Sequence, residues 1–359
     1  MKRCAISAFI RQLSIILSAV LAFGLIIPAN RPSQAAPAKY RILQHAEANT
    51  GSFERIDEQV RSFRPAQSIQ EVESQIKSVA RTPWEKTRAI YVWLADNIAY
   101  DTEAFFNREE SNVNPDDVFR EHKSVCQGYS DLFVKIGSDL GLKVVGIAGY
   151  GKGYGFSHGQ PIRGSNHAWN AVKLDGEWHL FDSTWGAGAV NGERKFVKQF
   201  SDFWFDTDPR LFLYTHFPEE KIWQLAGSPI SRDQFARMKY IPAAEFQQLY
   251  AYGFSSGDIL RSIKDDDGFP QVYSLGEHAI RIARAPVKRD LNSGDTVEIA
   301  VESSDALGAA LINNGRFIML NQNGNTFTGA IAPEPGRLCL GFRYGNAQQY
   351  QFALAYYVK

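Results

Sequence analysis

The dipeptide Asp175-Gly176 constrains this chain more than any other short stretch, because it sits between two strand-like runs, residues 166–174 and 177–182. Between strands such a pair selects a two-residue type I′ turn, whose twist matches that of the flanking strands. The turn sets the register. Residue 174 faces 177, and counting outward puts His167 opposite Thr184 and Trp169 opposite Asp182. His167 and Asp182 are then diagonal neighbours on one sheet face, about 7–8 Å apart at the backbone and within side-chain reach. A slip of one residue would send them to opposite faces. A carboxylate on one imidazole nitrogen fixes the tautomer and leaves the other nitrogen to take a proton. Taken singly, each residue also has a plain use: a satisfied strand histidine, and an aspartate cap before Ser183-Thr184.

Cys126 supplies a nucleophile to match. A helix is expected from about Ser124, with Tyr129, Leu132, Phe133, Ile136 and Leu140 forming its apolar stripe and Gly141 its stop. Cys126 opens that helix, where unpaired N–H groups and the dipole favour thiolate over thiol. A half-buried structural cysteine is the plain alternative. Helix-start Cys, strand-start His and same-face Asp, in that order, fit a papain-like α+β layout.

Around this core the text is less specific. Residues 36–80 are polar with a helix. Thr82-Pro83-Trp84-Glu85 starts another helix, whose Ala89, Ile90, Trp93, Leu94 and Ile98 predict one buried face. Residues 143–148 read as a strand, 149–159 as a glycine-rich loop, and 195–226 as an aromatic-rich stretch packing across the sheet. From about residue 270, alternating runs such as 296–301 and 350–358, separated by Gly, Asn, Asp and Pro, predict an all-β sandwich. The expected organisation is a leader 1–35, a core domain 36–226, a helical linker 227–269 and a sandwich 270–359.

Lys2, Arg3 and Arg11 precede an apolar run, residues 13–27, and Ser33-Gln34-Ala35 offers small residues at a cleavage position. This is the form of a cleaved secretory signal, so a secreted or periplasmic protein is expected, not an integral membrane one. The chain has 39 basic and 39 acidic residues; setting aside the four cations of the leader leaves 35 against 39. No basic stripe interleaved with aromatics appears, which excludes a nucleic-acid partner. Without Cys4, the mature chain keeps Cys126 and Cys339, and Cys339 reads as a core residue of a strand rather than a disulfide partner.

Three blocks give the resemblance: Ser124-Val125-Cys126-Gln127-Gly128-Tyr129-Ser130, Asn166-His167-Ala168-Trp169-Asn170, and the run from Trp178 through Asp182 to Trp185. With the lead-in from Arg88 to Asp101, they resemble the transglutaminase-like superfamily. Asp206-Thr207-Asp208-Pro209, Tyr214-Thr215-His216-Phe217-Pro218 and Trp223-Gln224-Leu225 are similar to its kyphoscoliosis-peptidase type, in which a β-sandwich follows. The resemblance implies Cys126 as nucleophile, His167 as base and Asp182 as its orienting acid. Animal cross-linking members place Trp after the nucleophile, where this chain has Gln127, and no acidic calcium loop is evident.

The expected chemistry is therefore attack on an amide of a protein or peptide substrate, with no cofactor and no metal, and with hydrolysis preferred over acyl transfer. The rival is a catalytically silent binding protein at the cell envelope. Residues 146–153 approach a phosphate-binding loop but lack Ser/Thr after Lys152. Asp265-Asp266-Asp267 is contiguous rather than alternating, and reads as a solvated linker rather than a calcium loop. His158 reads as surface, His179 as facing away from Asp182, and His122 as a weaker alternative base. Trp204 and Trp223 read as core.

Overall fold

The computed structural model describes residues 50–107, 109–264, 268–276, 278–345, 347 and 349–359. The leader and Asp265-Asp266-Asp267 lie outside them. Helices α1 (Thr50–Arg61), α2 (Ile69–Val79), α3 (Pro83–Asn97) and α4 (Cys126–Asp139) precede four strands: β1 (Lys143–Gly151), β2 (His167–Leu174), β3 (Glu177–Phe181) and β4 (His216–Pro218). The strands form one antiparallel sheet in the order β3-β2-β1-β4.

The hairpin turn has Asp175 at φ 48° and Gly176 at φ 92°, both positive as a type I′ turn requires. From Leu174 opposite Glu177, the ladder runs in the expected register to Asn170 opposite Phe181. There it ends, three rungs before Thr184. Asp182 leaves the strand and caps a short helix, Ser183–Ala187, by accepting the Trp185 N–H. Strand β1 runs through Gly151, so the first residues of the expected glycine loop are paired backbone.

Helix α4 packs its apolar stripe on β1 and β2, with Tyr129, Leu132, Phe133 and Ile136 wholly buried. Each such burial is worth about 1.5–3 kcal/mol against exposure. Helix α3 begins with a full capping box between Thr82 and Glu85. It does not have one buried face; residues 87–95 are all buried, because α1 and α2 cover it on one side and α4 and β2 on the other. Arg88 is buried with it and bonds Asp57 at 2.7 and 2.5 Å and Asp202 at 2.6 Å. Burial alone would weaken its charge, but the two carboxylates outweigh that and hold its pKa above the ordinary guanidinium value.

Beyond residue 270 two sheets form. Strands Arg281–Arg284, Val297–Glu302, Thr326–Ile331 and Asn321–Asn323 make the first. The second contains Asp290–Leu291, Gln351–Val358, Gly336–Tyr344, Ala306–Asn313 and Arg316–Met319, with Gln271–Val272 also on Gln351–Val358. Phe327 of the first sheet meets Phe342 of the second edge-on at 6.5 Å between centroids. The pairings are antiparallel except between Asp290–Leu291 and Tyr357–Val358. This is the C-terminal sandwich of an α+β protein. Cys339 is buried on the second sheet and free.

Helix α5 (Ala243–Ala251) lies between core and sandwich. Its Phe246 stacks on Phe203 at 5.7 Å and meets Phe269 at 6.4 Å. Just beyond it the Tyr252 carbonyl accepts the Ile282 N–H at 2.7 Å. Among the described residues no helix is long and apolar enough to cross a membrane.

Candidate active site

Cys126 is the first residue of α4, half-buried and free. The residue before it, Val125, gives the helix no side-chain cap, while its carbonyl accepts the Gly128 N–H at 3.0 Å. Two residues on, Gly128 explains itself by space: an added Cβ would lie 2.1 Å from Ser124 Oγ and 2.8 Å from Val118 Cγ2. Ser130 Oγ donates to the Trp169 carbonyl at 3.1 Å, and Asn170 Nδ2 donates to the Ser130 carbonyl at 3.1 Å. These bonds fasten the helix that opens with Cys126 to the strand that opens with His167.

His167 Nε2 lies 2.7 Å from Asp182 Oδ2. Cys126 stands near enough to the same ring to favour its charged form, and Nδ1 is the nitrogen that Asp182 leaves open. The structure thus joins His167 to Asp182, with Cys126 near the same ring. Asp182 is wholly buried; its Oδ1 accepts the Trp185 N–H at 2.9 Å. The carboxylate is therefore cap and histidine partner at once, one oxygen for each. Burial opposes the charge on His167, but Asp182 and Cys126 outweigh it and push its pKa up to about 10. Burial likewise opposes the Asp182 charge, and the two imidazoles beside it hold the carboxyl well below its usual range.

The second imidazole is His216, whose Nε2 is 3.0 Å from the same Asp182 Oδ2. Burial lowers its pKa to about 4, against the pull of Asp182. In the sequence it stands within a block of family resemblance and carries no assigned role. Its strand is three residues long, too short to show a period, and it lies 34 positions beyond Asp182. Only the sheet order shows the meeting: β1 places Gly149 opposite His167 on one edge and Gly151 opposite His216 on the other.

His167, Asp182 and His216 cluster closely enough to raise the question of a metal. A tetrahedral ion with bonds of about 2.0–2.1 Å keeps its ligand atoms about 3.3 Å apart. The contacts here, 2.7 and 3.0 Å, are hydrogen-bond lengths with both nitrogens aimed at one oxygen. The donor set fits a proton network better than a metal.

The remaining candidates fall elsewhere. His179 pairs with Asp206 at 2.7 Å and packs edge-on against Trp84. His122 is exposed at a helix end with Nδ1 3.2 Å from the Asn97 carbonyl, and His158 is exposed. Lys152 does not face a phosphate loop: it is buried, donates to the Phe235 carbonyl at 2.9 Å, and burial lowers its pKa to about 8. Trp204 is fully buried and Trp223 half-buried against Trp178.

A cleft of about 410 Å³ opens beside His167. Tyr100, Phe156, Trp185, Phe196 and Tyr240 are among its walls, and none of the described residues that line it is a carboxylate.

Residues 70–183 match the model of the transglutaminase-like superfamily, a span that holds Cys126, His167 and Asp182. Kyphoscoliosis peptidase of Mus musculus is 36% identical over 215 residues, 59% of this chain and 32% of the relative. Its Homo sapiens counterpart is 35% identical over the same shares. Hillarin of Drosophila melanogaster is 24% identical over 316 residues, 83% of this chain and 37% of the relative. This chain therefore spans about a third of the length of the curated relatives it matches. The chain thus carries a transglutaminase-like segment, residues 70–183, and is similar to kyphoscoliosis peptidase over 59% of its own length.

Proposed function

We propose that this protein is an exported cysteine enzyme that attacks amide bonds of a protein or peptide substrate. The observation that carries the reading is His167 with Asp182 on Nε2, at 2.7 Å, and a helix-start thiol near the same ring. Cys126 Sγ adds to the amide carbonyl while His167 holds the thiol's proton. His167 then gives that proton to the leaving amine as the C–N bond breaks, and an acyl-thioester remains on Cys126. Proton transfer of this kind supplies roughly 10²–10⁴-fold. In this reading the Cys126 N–H, at the helix start, donates to the oxyanion. Water resolves the thioester in a hydrolase, an amine in a transferase. Hydrolysis is favoured, since it needs no second substrate and the similar mammalian proteins are named peptidases. The cleft, with aromatic walls and no carboxylate among the described residues that line it, suits a neutral side chain next to the scissile bond.

Residues 1–35 act as the export signal in this reading, with the core at 36–226, the linker at 227–269 and the sandwich at 270–359. Alkylation of Cys126 by iodoacetamide tests the triad. It should outpace a model thiol and slow sharply in His167→Ala; equal rates in both proteins would leave a silent scaffold. Incubation with a peptide library and a free amine, read by mass, separates cleavage from adduct formation.

A further inference from the structure

One oxygen of a fully buried carboxylate serves two histidines. Asp182 Oδ2 receives His167 Nε2 at 2.7 Å and His216 Nε2 at 3.0 Å. We propose that His216 is a positioning residue of the triad: its Nε2–H holds the Asp182 carboxylate in line with His167 and limits how basic His167 becomes. This rests on the triad chemistry proposed above.

The tautomer follows from the neighbours. A carboxylate oxygen only accepts, so the His216 nitrogen facing it carries a proton. Two imidazolium ions on one buried oxygen would repel, and His167 is the one that Cys126 also favours in charged form. His216 is therefore neutral, and its Nδ1 accepts from the Thr215 hydroxyl 2.8 Å away. That hydroxyl also lies 3.2 Å from the Phe212 carbonyl, a weaker competitor. The surroundings agree with a neutral ring. Phe212 stacks on it at 3.9 Å, and Trp185, Trp169 and Trp204 stand at 4.4, 5.1 and 5.2 Å. The titratable groups facing it are Asp182 and His167; β1 presents only Gly151.

The effect on chemistry is specific. A neutral donor on Oδ2 draws off part of the carboxylate's charge, so less remains to stabilise the His167 imidazolium. His167 must give its proton up to a leaving amine as well as take it, and an imidazole held too strongly in charged form is a poor acid. Thr215, His216, Asp182 and His167 thus form one hydrogen-bonded line that ends beside Cys126, with a fixed direction of donation at its inner end.

The test compares His216→Phe, which fills the aromatic cage but donates nothing, with His216→Gln, whose amide nitrogen reaches the Nε2 position. Imidazole ¹⁵N resonances are followed from pH 4 to 11 in the wild type and in both variants, with circular dichroism to confirm folding. In the wild type, His216 should stay neutral with its proton on Nε2 down to about pH 4. In His216→Phe, the His167 titration should rise by about one unit, the scale of a hydrogen bond to a charged group. His216→Gln should return it. The alkaline limb of Cys126-dependent turnover should move in step. A wild-type His216 that is charged at neutral pH, a His167 titration unmoved by His216→Phe, or equal shifts in Phe and Gln would each overturn the proposal. The wild-type titration decides even if both variants unfold. An inert Cys126 with a His167 titration that still obeys His216 would overturn the proposed function alone.

Discussion

The side chain of Asn170 donates to the backbone carbonyl of Ser130 at 3.1 Å, from the centre of one strand to the first turns of the neighbouring helix. It also lies 3.1 Å from Ser130 Oγ and 3.4 Å from the Val145 carbonyl. Asn170→Ala leaves these buried acceptors without their donor, which should destabilise by about 1–3 kcal/mol. Because the bond sets helix against strand, Cys126 alkylation should also slow, although no triad residue is changed. Thermal melting and alkylation rates check the pair; a lowered melting temperature with an unchanged rate would separate the tie from the site.

Asp182→Asn keeps a side-chain oxygen for the Trp185 N–H but removes the charge beside His167. The fold should survive. Turnover should fall by about 10⁴-fold, the scale of that substitution in a serine-protease triad. Steady-state kinetics and circular dichroism on one preparation check it.

Stability should peak near pH 6.5. His167 binds its proton more tightly folded than unfolded, so its contribution is complete below its ordinary value of 6.5 and is lost as pH rises toward about 10. His216 has the opposite sign: held neutral when folded, it contributes above 6.5 and loses that as pH falls toward about 4. Denaturant midpoints across pH 4–10 should trace both slopes, and His167→Gln should flatten the alkaline one only.

Gly128→Ala sets two effects against each other. Alanine gains about 1 kcal/mol of helix propensity. Its Cβ, however, would sit 2.1 Å from Ser124 Oγ and 2.7 Å from Ser124 Cβ, an overlap that costs about 1–3 kcal/mol or more. The clash should win, giving a lower melting temperature, and Ser124→Gly in the same chain should restore part of the loss.

How much was legible in the chain depended on range. Asp175-Gly176 specified its own ladder, and Thr82 with Glu85 its own cap, since the bonds involved span two to four positions. The expected facing of His167 and Thr184 failed for a local reason: the Asp182 side chain caps a helix and ends the strand early. Other features depend on partners distant in sequence. Arg88 reads as a polar break in a helical stripe until Asp57 and Asp202 are seen around it. His216 reads as one residue of an aromatic stretch until β4 is seen pairing with the far edge of β1.

Helix α5 carries a consequence for how small this protein can be made. Ala243, Ala244 and Gln247 are among the walls of the cleft beside His167, and Phe246 of the same helix is wedged between Phe203 and Phe269. A fragment ending at residue 226 would keep Cys126, His167 and Asp182 and lose one side of the cleft beside His167. A trimmed chain that keeps this wall of the cleft therefore has to extend past the family-matched segment and through Ala251.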